Sequence, residues 1–270
     1  MDKDGQITIN NKFLVKFITL LSLQEEDFFC RILPKHLEIS ERKKCFDREQ
    51  YKREIWQIEH LKNIKSYELD RIRLGDGRPE EWKYRYYSHY FRTDEHMKET
   101  VDNICHNYLE GLLWVARYYF EECPSWRWQY KYTHAPFLSD IREYLKDREI
   151  MRDFNIESRP NISMYSQLLS VIPPQYSEIL PPAIRHLNSS AKSPIIDMFP
   201  LRYEIDMINK TVLYKCIPMI PYLDIDRIDR EIAKVKFDRH SLERCKLEKA
   251  FVIKSETRKN TQRSRIERTS

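Results

Sequence analysis

The chain reads as a mainly α-helical domain with one small antiparallel β-hairpin near its C-terminus. Three observations predict this. Apolar residues recur at helical spacing over several long stretches, only four glycines occur in 270 residues, and one Asn-Lys pair separates two short apolar runs late in the chain. With 41% apolar and 13% aromatic residues there is enough material for a sizeable core.

The first element lies in residues 9–33, where Phe13, Leu14, Phe17, Ile18, Leu20 and Leu21 follow a 3.6-residue period. Asn10 or Asn11 is placed to cap its first turn, and a break is expected near Ser22. Residues 38–74 are dense in charge with a thin apolar seam (Phe46, Ile55, Ile58, Leu61, Ile64), which predicts one long, exposed helical arm. Gly75, Gly77 and Pro79 end it. The aromatic block EWKYRYYSHYF at 81–91 then re-enters the core.

Thr93 is placed to cap a helix starting at Asp94 and Glu95, and Val101, Ile104, Tyr108, Leu112, Val115 and Tyr119 carry that helix to about Phe120. A loop rich in tryptophan and tyrosine follows Pro124. Next come a shorter helix over 136–151, a polar joint at 155–161 and an apolar helical run at 162–172. The pairs Pro173-Pro174 and Pro181-Pro182 impose extended, turn-rich chain. Residues 202–208 and 211–219 flank Asn209-Lys210 as the hairpin, and 224–235 forms a last helix. The organisation is a helical domain over 1–235 and a basic, flexible tail over 236–270. That tail holds 11 Lys/Arg against 5 Asp/Glu in a chain whose total charge is +5.

Several function classes are excluded. There is no GxGxxG, no GxxxxGK[ST] and no GxSxG, so phosphate-cradling loops and hydrolase elbows are absent. Six widely spaced cysteines without CxxC predict free thiols, and no apolar run approaches the ~20 residues that cross a bilayer. These features point to the cytoplasm or nucleus and to no membrane partner.

Four blocks carry a resemblance: EWKYRYYSHYF at 81–91, YLEGLLWVARYYFEECPSWRWQYKYTHAPFLSD at 108–140, YSQLLSVIPPQYSEILPPAIRHL at 165–187, and SPIIDMFPLRYEIDMINK at 193–210. In that order they resemble the C-terminal conserved helical region of 5′→3′ exoribonucleases of the XRN/Rat type. The family loop looks like GCPSWxWYYPYHYAP. In this chain Glu122 stands for the Gly, Gln129 for a Tyr, Lys131 for the Pro, Thr133 for the His and His134 for a Tyr, which marks a divergent member.

The resemblance implies a part in RNA degradation or processing, with single-stranded RNA as partner and a tryptophan of the helical region stacking its leading nucleotides. Trp126 and Trp128 are the stacking candidates, and Arg127, Lys131 and His134 the phosphate-contact candidates. In such enzymes the metal-binding carboxylates belong to an N-terminal region, so magnesium is implied only for a complete family enzyme. No catalytic and no metal residue is assigned here. Contiguous Glu25, Glu26 and Asp27 fan around a helix and read as a charged face. The chain alone is expected to be inactive, forming an RNA channel beside a separate catalytic chain. The alternative is a non-catalytic RNA-binding or protein-scaffold module on the same fold.

Overall fold

The computed structural model describes residues 7–63, 70–93, 96–146, 148, 154, 156 and 159–244. The chain divides into two units, Met1–Val235 and Lys236–Ser270. In the second, α11 spans Arg239–Arg244, and the basic segment beyond it lies outside the described residues.

The first unit is helical. α1 (Asn11–Ser22) starts where Asn10 adopts an extended backbone and its side chain accepts the Phe13 N–H at 3.0 Å. Leu14, Ile18 and Ser22, four residues apart, form its buried face, and the helix stops at Ser22 as expected. A short α2 (Glu25–Asp27) passes through a π-helical turn at Phe28–Ile32 into α3 (Leu33–Arg42).

The single long arm expected over 38–74 does not form. α3 ends at Arg42, α4 covers Gln50–Glu59, a 3₁₀ turn covers Leu61–Asn63, and residues 70–78 are a loop; 64–69 lie outside the described residues. The cause is tertiary. His60 is extended and buried, its backbone bridges to Val212, and Leu61 N–H donates to the Thr211 carbonyl at 3.2 Å. Its ring Nε2 pairs with the Ser40 carbonyl at 3.1 Å. Non-local pairing thus takes the backbone groups that helix propensity would have used.

The 70–78 loop is fixed by Asp70, whose carboxylate accepts the Ile72 and Arg73 N–H groups, and by Arg85, which donates to the carbonyls of residues 72, 73 and 76. Gly75 sits at φ +82°, and a Cβ there would stand 2.4 Å from the Phe29 carbonyl oxygen, so only glycine fits.

The aromatic block is a helix, α5 (Pro79–Phe91), opened by Pro79 and burying Trp82 and Tyr87. α6 (Met97–Phe120) is the long central helix and ends where expected. His96 is its N-cap residue. Thr93 instead bonds through its hydroxyl to that of Thr100, while 94–95 lie outside the described residues. α7 (Leu138–Leu145) is shorter than the expected 136–151, part of which lies outside the described residues.

Two adjoining cores share α6. Leu14 and Ile18 of α1 pack with Cys105, Leu109 and Leu113 of α6, Ile141 and Leu145 of α7, and Phe154. On the other side Trp82 and Tyr87 pack with Ile104 and Phe137. Each fully buried Leu or Ile contributes about 1.5–3 kcal/mol from area removed from water, so α6 is the best-anchored element.

Beyond the loop, α8 (Met164–Val171) is capped by the Ser163 side chain and packs on α10 (Ile225–Ile232), which Asp224 caps. Pro173 leads into a 3₁₀ run at Pro174–Ile179, then α9 (Arg185–Ser189). The antiparallel piece is present, with Ile205 of β1 (Ile205–Asp206) opposite Pro218 of β2 (Ile217–Pro218). It is not a tight hairpin, because a 3₁₀ turn at Leu213–Lys215 lies between the strands; Asn209 does adopt the left-handed backbone, φ 56°. Cys30, Cys45, Cys105, Cys123 and Cys216 form no disulfide among the described residues, and Cys245 lies outside them. Among the described residues no helix is long and apolar enough to cross a membrane.

Candidate functional site

The tryptophan loop leaves the end of α6 and returns to the body at Phe137. Its two tryptophans have different fates. Trp128 lies on α6 over Gly111, where an added Cβ would come within 2.6 Å of the indole. It stacks on Trp114 (centroids 5.6 Å, planes 21° apart), and Trp114 stacks in turn on Tyr118 (5.3 Å, 7°). Trp114 Nε1 donates to the Ser125 carbonyl at 2.9 Å, tying the loop back to the helix. Trp126, at the turn of the loop, is 58% exposed. For an indole this is unusual, because so large an apolar ring is normally mostly buried.

Of the three phosphate-contact candidates, the structure leaves Lys131 exposed and commits the other two elsewhere. The Arg127 side chain is only 12% exposed. It donates to the Pro160 carbonyl at 2.6 Å, to Asp226 at 3.1 Å and to Asp229. Asp229 also accepts from the Ser166 hydroxyl and Asp226 from Arg159. Two carboxylates already neutralise this arginine, so it joins the loop to α8 and α10 rather than facing a free anion.

His134 is equally occupied. Its ring stacks on Tyr90 (centroids 3.5 Å, planes 18° apart), Nδ1 faces the Thr133 hydroxyl at 2.9 Å, and Nε2 faces Asp206 at 3.4 Å. Burial alone would raise the Asp206 carboxyl. Hydrogen bonds from His134, from the Ile208 N–H and from Tyr90 outweigh it and hold the group below its ordinary range. Burial, and then the Asp206 charge, push the Tyr90 phenol upward.

Three residues to which sequence reasoning gave no such role position the loop's far end. Asp206 is one, and an acid inside the apolar run YEIDMI was its only signal. Asp140 accepts from Lys83 Nζ and from the Tyr87 hydroxyl, each at 2.6 Å. Glu25 departs from the charged-face reading: it is buried, and its carboxylate accepts the Leu138 and Ser139 N–H groups at 2.6 and 3.1 Å, capping α7 from another helix. Asp197 receives both guanidinium nitrogens of Arg227, and Asp224 caps α10.

A cleft of about 570 Å³ opens beside His134, its lining including Phe29, Ile72, Phe137, Glu25, Asp206 and Lys210. Among the described residues no group of three or more His, Cys, Asp or Glu side chains is arranged to hold a metal ion. The site offers an outward indole, an exposed lysine and a rigid support, which suits binding and positioning.

The family model of the Xrn1 helical domain matches residues 32–269 of the chain. The chain is 36% identical over 148 residues to 5′-3′ exoribonuclease 2 of Candida albicans, covering 53% of this chain and 15% of that protein. It is 34% identical over 155 residues to 5′-3′ exoribonuclease 1 of Saccharomyces cerevisiae (57% and 10%) and over 166 residues to 5′-3′ exoribonuclease 2 of Gallus gallus (62% and 17%). The matches thus span between 10% and 17% of the length of these relatives.

Proposed function

Since the chain belongs to the Xrn1 helical domain family, we propose that it forms one wall of a channel for single-stranded RNA, with Trp126 as the base-stacking platform. The observation that carries this reading is the split between the tryptophans. Trp128 is held on Gly111 and Trp114, and the loop it braces keeps Trp126 58% exposed. A rigidly mounted, exposed indole offers a π-face to any base without reading sequence. Lys131 supplies an exposed cation on the same loop, while Arg127 and His134 keep the loop in shape.

In this role the segment positions RNA and leaves hydrolysis to carboxylates elsewhere in a complete exoribonuclease, on this polypeptide or on a separate catalytic chain. The support is the family membership, since the matched family is that of the helical domain. The test is a titration with 5′-monophosphorylated single-stranded RNA. Trp126→Ala is expected to weaken binding about 5- to 150-fold, the equivalent of roughly 1–3 kcal/mol of stacking, and Trp126→Phe to restore most of it. Equal affinity of wild type and Trp126→Ala would remove the stacking role and favour the scaffold alternative. Stepwise 5′ degradation by the pure 270-residue chain with magnesium would overturn the division of labour.

A further inference from the structure

The β1–β2 ribbon leaves one of its edges open. Ile205 stands opposite Pro218 and Asp206 opposite Ile217, and the Met219 N–H donates to the Glu204 carbonyl at 2.8 Å, which continues the same register by one residue. Directly opposed antiparallel residues alternate between pairs that exchange hydrogen bonds and pairs that do not. Glu204 therefore turns its backbone groups toward β2, whereas Tyr203 and Ile205 turn theirs away from it. Among the described residues nothing bonds to the N–H and carbonyl groups of Tyr203 and Ile205. Gln175 takes the Leu201 carbonyl, so the open stretch starts at Arg202. Its side chains are uncovered too. Tyr203 is 50% exposed, and Ile205 and Pro218 face outward together while Asp206, on the other face, is buried against His134. An exposed edge without proline or lysine is a template for a further strand.

The sequence of the edge selects that strand. Residues 201–205 read Leu-Arg-Tyr-Glu-Ile, which is self-complementary when two copies run antiparallel about Tyr203. In that register the Tyr203 N–H of each copy donates to the Tyr203 carbonyl of the other, and Arg202 of one copy lies opposite Glu204 of the other. The parity agrees, because outward-facing Tyr203 meets outward-facing Tyr203. A slip by one residue would oppose an outward-facing position to an inward-facing one, and a slip by two would set Glu204 against Glu204 or Arg202 against Arg202. A bend at 201–202 leaves the Tyr203 pair and the flanking Arg202/Glu204 contacts as the centre of the association. We propose that this edge pairs with the same edge of a second copy of the chain, joining the two ribbons into one continuous sheet about a twofold axis at Tyr203. So short a contact belongs with the small, transient class of interfaces. The pairing is independent of the RNA reading above.

Sedimentation velocity on the purified chain, from micromolar to millimolar concentration, reads the association. Wild type should pass from monomer to dimer as concentration rises. Tyr203→Pro removes the outward N–H at an edge position, where proline is tolerated, and should raise the dissociation constant about tenfold or more. Arg202→Glu and Glu204→Arg should each weaken the dimer similarly when alone, because each sets like charges across the axis. A one-to-one mixture of those two variants should dimerise as wild type does, and so should the double variant Arg202→Glu plus Glu204→Arg. Thermal melting should stay unchanged in the charge variants, whose side chains are exposed. If Tyr203→Pro lowers the melting midpoint, the mixing experiment decides alone, since it leaves the backbone untouched. A wild-type chain that stays monomeric throughout, a dimer that the single charge variants do not weaken, or a mixture that fails to recover it would each overturn the proposal.

Discussion

Gly111 and Trp128 behave as one unit, because the indole occupies the space a Cβ would take. Gly111→Ala should therefore push Trp128 off α6, costing about 1–3 kcal/mol by overpacking and loosening the loop that presents Trp126; a denaturant melt checks this as a lower midpoint. Asp206 predicts a pH effect. Its carboxyl is held below its ordinary range in the folded state, so its contribution is complete above the unfolded pKa and is lost as pH falls through the lower folded value. Asp206→Asn should accordingly lower stability near neutrality and narrow its difference from wild type below about pH 4, read from melting midpoints across pH. Residue type brought Trp126, Arg127, Trp128, Lys131 and His134 to notice. It gave no access to the partners that take up Arg127 and His134, because Asp226, Asp229 and Asp206 reach the loop from 72 to 102 residues away.

Helix ends show where local rules suffice and where they do not. Asn10, Ser163 and Asp224 cap α1, α8 and α10 with their own side chains, all within three residues of the N–H they receive. The starts of α1 and α10 were legible for that reason. α7 is different: its cap is Glu25, 113 residues away from Leu138. Glu25→Ala should cost about 1–2 kcal/mol, near the upper range for losing a helix cap, and urea denaturation measures it. Charge density over 38–74 suggested one arm, whereas His60 and Leu61 pair with residues 211–212 and end α4. No periodicity in 38–74 encodes a bridge to residues 150 positions on. Arg127→Ala, which removes the tie between the loop, α8 and α10, should cost about 2 kcal/mol, less than a fully buried pair because solvent reaches Asp226.

At the scale of the first unit, α6 is a spine with a core on each face and the tryptophan loop at its C-terminal end. The helical class and the antiparallel pair were readable from spacing and turn residues, and the family from four ordered blocks. The exposure of Phe13, Phe17 and Leu20 on α1 was hidden because periodicity counts apolar positions without saying which face is covered: they fit the same pattern as the buried Leu14 and Ile18. If RNA bases stack on the Trp126 indole, photocrosslinking of the pure chain to 5′-phosphorylated single-stranded RNA carrying 5-iodouridine, followed by mass spectrometry of the crosslinked peptide, will locate the contact. Trp126 is expected as the principal adduct, with crosslinking lowered in Trp126→Ala; adducts confined to other elements, with the Trp126 peptide unmodified, would rule the stacking role out.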